Sequence, residues 1–205
     1  MSKKGLTEIA CVLDRSGSMG SVIDDAIGGF NTFLKSQQEC KDGEARISIA
    51  MFDDHYDMIC ESKDIHTVDP FTLKTYVPRG MTALNDAIGK TITHMGEMFD
   101  KRPDSGKPEK VIFVILTDGQ ENSSNEYHID RVRELIKQQK EQWKWEFIFL
   151  SSDLSAIQQG SNLGINNTVQ YAATGVGTRN AYQTVNNSVL LCRATGDVGD
   201  LPQNI

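Results

Sequence analysis

Two stretches of this chain, residues 7–13 and 111–117, are apolar almost without interruption. A strand of that kind has no polar face to offer water, so it belongs in a parallel sheet covered on both sides. Intervening segments supply the cover. Residues 21–35 place Val22, Ile23, Ala26, Ile27, Phe30, Phe33 and Leu34 on one helical stripe, and residues 82–99 and 127–139 repeat the pattern. Further strands are expected at 45–52, 55–60, 145–150 and 168–171, with shorter helices at 153–159 and 178–193. Only Asp53 and Asp54 separate 45–52 from 55–60, so that pair is an antiparallel hairpin. The resulting order, β-α-β-β-α-β-α-β-α-β-α, predicts an α/β fold. Its sheet is doubly wound and six-stranded, mostly parallel, with one antiparallel edge strand and helices on both faces.

A length of 205 residues suits one domain, 1–205, with a core from about residue 6 to 193. Residues 196–205, after Gly196, are expected to form a loose tail. Segment 101–110, rich in Pro, Gly, Lys and Asp, is expected as a surface loop. A net charge of -7 argues against a nucleic-acid partner, because phosphate contacts need a basic face, and against adsorption to an anionic membrane. No window is apolar enough to cross a bilayer and the N-terminus does not resemble a signal peptide. Cys11, Cys40, Cys60 and Cys192 form no CxxC pair, so neither a disulfide framework nor a zinc site is expected. A cytoplasmic, reducing location is the simplest expectation from these features.

Chemistry concentrates where the apolar runs end. The first is followed by Asp14-Arg15-Ser16-Gly17-Ser18, three oxygen-bearing side chains spaced by two, with Gly17 permitting a tight loop. The fourth strand runs into Thr117-Asp118-Gly119, and Thr82 stands before a helix in Arg79-Gly80-Met81-Thr82. In an open parallel sheet ligands bind beyond the carboxyl ends of the strands, so three elements deliver hard oxygens to one edge. Hydroxyls and carboxylates are ligands for Mg²⁺, Mn²⁺ or Ca²⁺. Taken singly, Ser18 and Thr82 also read as helix caps and Asp118 as a turn residue. Their coincidence selects the metal site Asp14, Ser16, Ser18, Thr82 and Asp118.

These residues resemble the metal-ion-dependent adhesion site (MIDAS) of the von Willebrand factor type A (vWA) domain family, and the element order resembles that family from about residue 6 to 193. The resemblance implies direct coordination by Ser16 and Ser18, with Thr82 binding directly or through water. Asp14 and Asp118 would act mainly through water and hydrogen bonds. It further implies a protein partner that supplies an Asp or Glu carboxylate, and movement of the final helix on ligand binding. That helix is 178–193, with Ala181, Val185, Val189 and Leu190 toward the sheet.

Other features have plainer readings. Asp86 is expected as an exposed acid at a helix start. Asp53-Asp54 is expected as an electronegative turn rather than a second cation site. The four histidines share no ligand spacing. Of Trp143 and Trp145, one is expected in the core and the other as a partner contact. Met81 stands where many vWA relatives have a second glycine. An enzyme is not expected: a haloacid-dehalogenase-type phosphatase needs a carboxylate where Ser16 stands. The chain also lacks a GxSxG elbow and a GxxxxGK[ST] loop. The function read from sequence is a metal-dependent protein-binding module in an intracellular complex. Its alternatives are a metal-dependent hydrolase and a scaffold with an incidental metal.

Overall fold

A computed structural model describes residues 2–205; residue 1, which the expected domain 1–205 includes, lies outside the described residues. The strands are β1 (Lys3–Asp14), β2 (Glu44–Phe52), β3 (Tyr56–Asp64), β4 (Pro108–Thr117), β5 (Glu146–Ser151) and β6 (Asn167–Gln170). The helices are α1 (Ile23–Glu39), α2 (Leu84–Asp100), α3 (Ile129–Trp143), α4 (Leu154–Asn162) and α5 (Gly175–Thr195). Their sheet order is β3-β2-β1-β4-β5-β6, parallel throughout except for the antiparallel β2–β3 pair at one edge. This is the expected fold.

β1 is buried on both faces from Leu6 to Asp14. Ile9, Cys11 and Leu13 face a core shared with α1 and α5, while Ala10 and Val12 face one shared with α2 and α3. The period of two divides one strand between two cores. Chain order reverses between β1 and β4, the switch point at which doubly wound sheets open a crevice.

Four details differ from the sequence reading. Phe52 pairs with Tyr56, so the hairpin loop holds three residues, closed by Asp53 N donating to His55 O at 3.0 Å. Residues 101–110 do not form a loop throughout, since β4 begins at Pro108. On α5, Ala181, Val185 and Val189 are buried as expected, but Leu190 is only partly covered and Tyr182 and Cys192 complete the face. Finally, the end of the chain is docked rather than loose. Gln170 N donates to Gln203 O at 2.8 Å, Ile205 N to Gln170 O at 2.9 Å and Ala172 N to Ile205 O at 3.1 Å. The outer edge of β6 would otherwise leave those backbone groups unpaired, and the tail satisfies them.

Two adjacent glycines on α1 show how tightly the helices pack. A Cβ on Gly29 would run into the Tyr182 ring of α5, whereas one on Gly28 would meet nothing within 4 Å. Gly29→Ala is therefore expected to lower stability by about 1–3 kcal/mol through overpacking. Gly28→Ala should raise it by up to about 1 kcal/mol, since helix propensity acts there alone. Urea denaturation of the two variants checks this, and equal signs would refute the packing described.

Candidate metal centre

The centre is built outward from the end of β1. Asp14 is fully buried; Ser16 N donates to its Oδ1 at 2.6 Å and Thr117 Oγ1 to its Oδ2 at 2.5 Å. The two strands at the switch point are thus tied together through one carboxylate. Ser16 Oγ lies 3.1 Å from Ser18 Oγ, and Ser18 Oγ donates to Asp118 Oδ1 at 2.7 Å. A Cβ on Gly119 would lie 3.7 Å from Thr82 Oγ1 and 4.0 Å from Ser18 Oγ, which brings the fifth residue to the same place. All five sequence-selected residues meet at the carboxyl edge of the sheet.

Helix capping does not account for the hydroxyls. Neither the short 3-10 segment Gly17–Val22 nor α2 has a side-chain cap bond, and the residue capping α2 is Ala83. Asp14 and Asp118 also lack a counter-cation: among the described residues, no Lys, Arg or His nitrogen pairs with either. Arg15 turns away, its Nε donating to Asp53 Oδ2 at 2.8 Å and its Nη2 to Asp57 Oδ2 at 2.5 Å. Burial raises the Asp14 pKa to about 6, opposed by the Thr117 and Ser16 bonds and aided slightly by Asp118. Burial likewise raises the Asp118 carboxyl, against the Ser18 bond. Two desolvated carboxylates and three hydroxyls, all hard donors, fit a divalent cation.

Much of the bracing has no local signature in the sequence. Asp53, read as part of an electronegative turn, does lie in the hairpin loop, but it is fully buried and also accepts from Arg79 Nε at 2.8 Å and His55 N at 2.6 Å. Asp53, Asp54 and His55 do form a compact ligand-type cluster. Its buried member is already committed to two arginines. Asp86, read as exposed, is buried; its carboxylate accepts from Asn125 N, Glu126 N and Tyr127 N at 3.0, 3.0 and 2.7 Å. Asn122 clasps Thr82, accepting its N–H on Oδ1 at 2.8 Å and donating its own N–H to Thr82 O at 3.0 Å. The Tyr76 hydroxyl donates to Asp14 O, and Tyr171 Oη to Thr117 O at 3.0 Å. Gly80 adopts φ +66° with the Asp54 carboxylate where a Cβ would stand, and its carbonyl accepts from Gly17 N at 3.2 Å. This approach of two loops needs glycine at position 80.

No known family profile and no characterised protein matches the chain by sequence. Solved structures do resemble it. The PilB minor pilin from Streptococcus sanguinis superposes with a TM-score of 0.62 at 11% identity, over 90% of this chain and 61% of that one. Manganese-loaded TRAP protein from Plasmodium vivax gives 0.59 at 15% identity, over 85% and 72%. Proximal thread matrix protein 1 from the mussel byssus, with a zinc-occupied MIDAS motif, gives 0.61 at 12%, over 93% and 49%. The chain therefore spans 61% of the pilin and 49% of that matrix protein. At these identities the likeness is one of fold, and the fold is vWA-like.

The unpaired carboxylates should be visible in stability. A carboxyl whose pKa is raised on folding stabilises the protein in its protonated form, and that contribution fades as pH rises through about 6 for Asp14. In Asp14→Asn the amide oxygen can accept from Ser16 N and the amide nitrogen can donate to Thr117 Oγ1. With chelator at pH 8 this variant is expected to be more stable than wild type by about 1–3 kcal/mol, the difference vanishing toward pH 4. Denaturant melts across that pH range provide the measurement, and a less stable variant at pH 8 would refute an uncompensated Asp14.

Proposed function

We propose that the chain, taken as one domain over residues 1–205, is a metal-dependent protein-binding module. Asp14, Ser16, Ser18, Thr82 and Asp118 would hold one divalent cation, with Mg²⁺ favoured and Mn²⁺ or Ca²⁺ as other occupants. The convergence of five hard donors on the β1/β4 switch point, with no basic partner for the two carboxylates, carries this reading. When bound, the ion would neutralise those carboxylates and offer an open position to an Asp or Glu side chain of a partner protein.

The chain's own residues would set how strongly that position attracts an acid. Ser16, Ser18 and Thr82 are neutral donors, so with the two carboxylates held behind them the ion's inner shell would carry little negative charge and an incoming carboxylate would gain more. Asp14 and Asp118 would tune this from behind the hydroxyls, and Asn122 and Tyr76 would fix the loops that present them. A non-enzymatic role is part of the same proposal, supported by structural neighbours that are by name a pilin, a pilus adhesin and a matrix protein. Four free thiols, two of them partly exposed, support a reducing, cytoplasmic setting, although two of those neighbours are by name pilus proteins. No helix among the described residues is long and apolar enough to cross a membrane.

Adding Mg²⁺ or Mn²⁺ to chelator-treated protein is expected to raise the melting temperature by roughly 5–10 °C at about 100 times the dissociation constant. Asp118→Ala and Ser16→Ala should remove the shift and leave the far-ultraviolet circular dichroism unchanged. Partner capture from the native host should be lost in EDTA and in an Asp→Ala or Glu→Ala variant of the partner. A metal shift that persists in both variants would move the site elsewhere. Capture at full affinity in EDTA would remove the metal from the interface.

A further inference from the structure

We propose that the surface framing this centre takes a partner segment in which a single acidic residue is flanked by apolar side chains, with Met81, Val77 and Leu154 receiving the flanks. The proposal rests on the binding reading above and names the class of partner for the same site.

Among the described residues eight large apolar side chains stand exposed, and four of them (Val77, Met81, Leu154 and Val176) lie in or just after the loops at the carboxyl edge. Three are within two residues of a group tied to the centre. Met81, 52% exposed, immediately precedes Thr82. Val77, 50% exposed, follows Tyr76, whose hydroxyl donates to Asp14 O. Leu154, 66% exposed, stands two residues beyond Ser152, whose Oγ donates to Asp118 O at 3.1 Å. Apolar residues scattered singly over a surface need no explanation, but several gathered around one polar centre mark an interaction surface. Such a surround excludes water from the central contact, the arrangement in which one polar anchor carries most of an interface's energy.

Charge narrows the partner further. The arginines at this edge are committed within the chain: Arg15 and Arg79 to Asp53 and Asp57, and Arg179 to Asp25. Asp54 and Asp153, outside the metal set, stay at the rim with no lysine or arginine partner among the described residues. A strongly acidic segment would therefore meet like charge on either side of the metal, while one acid with apolar neighbours would not. Methionine at position 81 is unbranched and adaptable, suited to leucine, isoleucine or an aromatic ring rather than to one fixed shape.

Three fluorescent peptides of equal length test this, each with one central Asp flanked by leucines, serines or glutamates. Anisotropy is measured on the full chain in Mg²⁺ and in EDTA. The leucine-flanked peptide is expected to bind at least about tenfold tighter than the serine-flanked one, the scale of burying a few apolar groups, and the glutamate-flanked one weakest. EDTA should abolish all binding. Met81→Ser should bring leucine-flanked affinity down to within about threefold of serine-flanked, with the metal-induced melting shift intact. Equal, chelator-sensitive affinities for the three peptides would overturn the apolar surround while leaving the metal-and-carboxylate reading standing. A leucine preference that survives in Met81→Ser would overturn the role given to that residue. If metal raises the melting temperature but no peptide binds, the carboxylate reading itself fails and takes this proposal with it.

Discussion

The interaction on which the rest of this structure turns is the bond between Thr117 Oγ1 and the buried Asp14 carboxylate. It joins the ends of β1 and β4, the two strands at which chain order reverses, and it does so with a charge hidden from water. An ionised carboxylate in such a place is costly unless a cation or several donors answer it. Two donors are present, yet the pKa stays raised to about 6 because burial outweighs them. Asp118, the residue directly after β4, adds a second acid rather than a base. A sequence optimised only for stability would have put a basic or apolar group between them. The basic side chain next to Asp14 in sequence, Arg15, instead closes on Asp53 and Asp57, leaving the two acids to face the hydroxyls of Ser16 and Ser18.

Holding such an arrangement open requires the loops to be stiff, and the structure spends its remaining polar groups on that. The loop after β4 is fastened to α2 by Asp86, which takes three consecutive backbone N–H groups, and by Glu121, which accepts from Asn85 N at 2.7 Å and Ser124 Oγ at 2.6 Å. The Asn122 clasp makes Thr82 part of the same body. From the other side, Asp53 joins the β1 loop to Arg79. For the proposed metal centre, geometry built this way would be set before an ion arrived, so little ordering would be left to do on binding.

How much of this was legible in the sequence follows from the range of each interaction. The apolar runs of β1 and β4 announce two-sided burial by themselves, because the alternation of faces is a local property of strands. The oxygen donors were legible because Asp14, Ser16 and Ser18 sit two apart directly after such a run, and Asp118 directly after another. The burial of Asp53 and Asp86 was not legible for the opposite reason. The arginine partners of Asp53 lie 38 and 26 positions away and the backbone partners of Asp86 about 40, and in isolation each has the ordinary context of a turn or helix-start acid. The docked tail was missed on the same ground, since the groups it satisfies belong to β6, an edge whose need for partners appears only once the strand order is known.

The far end of the molecule bears on the site through α5. This helix starts at the carboxyl edge, a few residues beyond β6 and Tyr171, whose hydroxyl donates to Thr117 O, and its last turn is held firmly. Lys110 Nζ donates to Cys192 O at 3.1 Å and to Arg193 O at 2.7 Å, while Arg193 Nη1 reaches Gln37 O at 2.7 Å on α1. Beyond Gly196 the chain doubles back to bond β6 through residues 203–205. An axial shift of α5, the movement the vWA resemblance implies, has to break the Lys110 and Arg193 contacts and drag the tail from its edge. A ligand moves a two-state element only by as much as it prefers one state, so every bond at this end enlarges the preference a carboxylate must show. Rigidity at the last turn of α5 and rigidity in the loops at the carboxyl edge therefore act together, and under the proposed function both would favour binding in the shape already present.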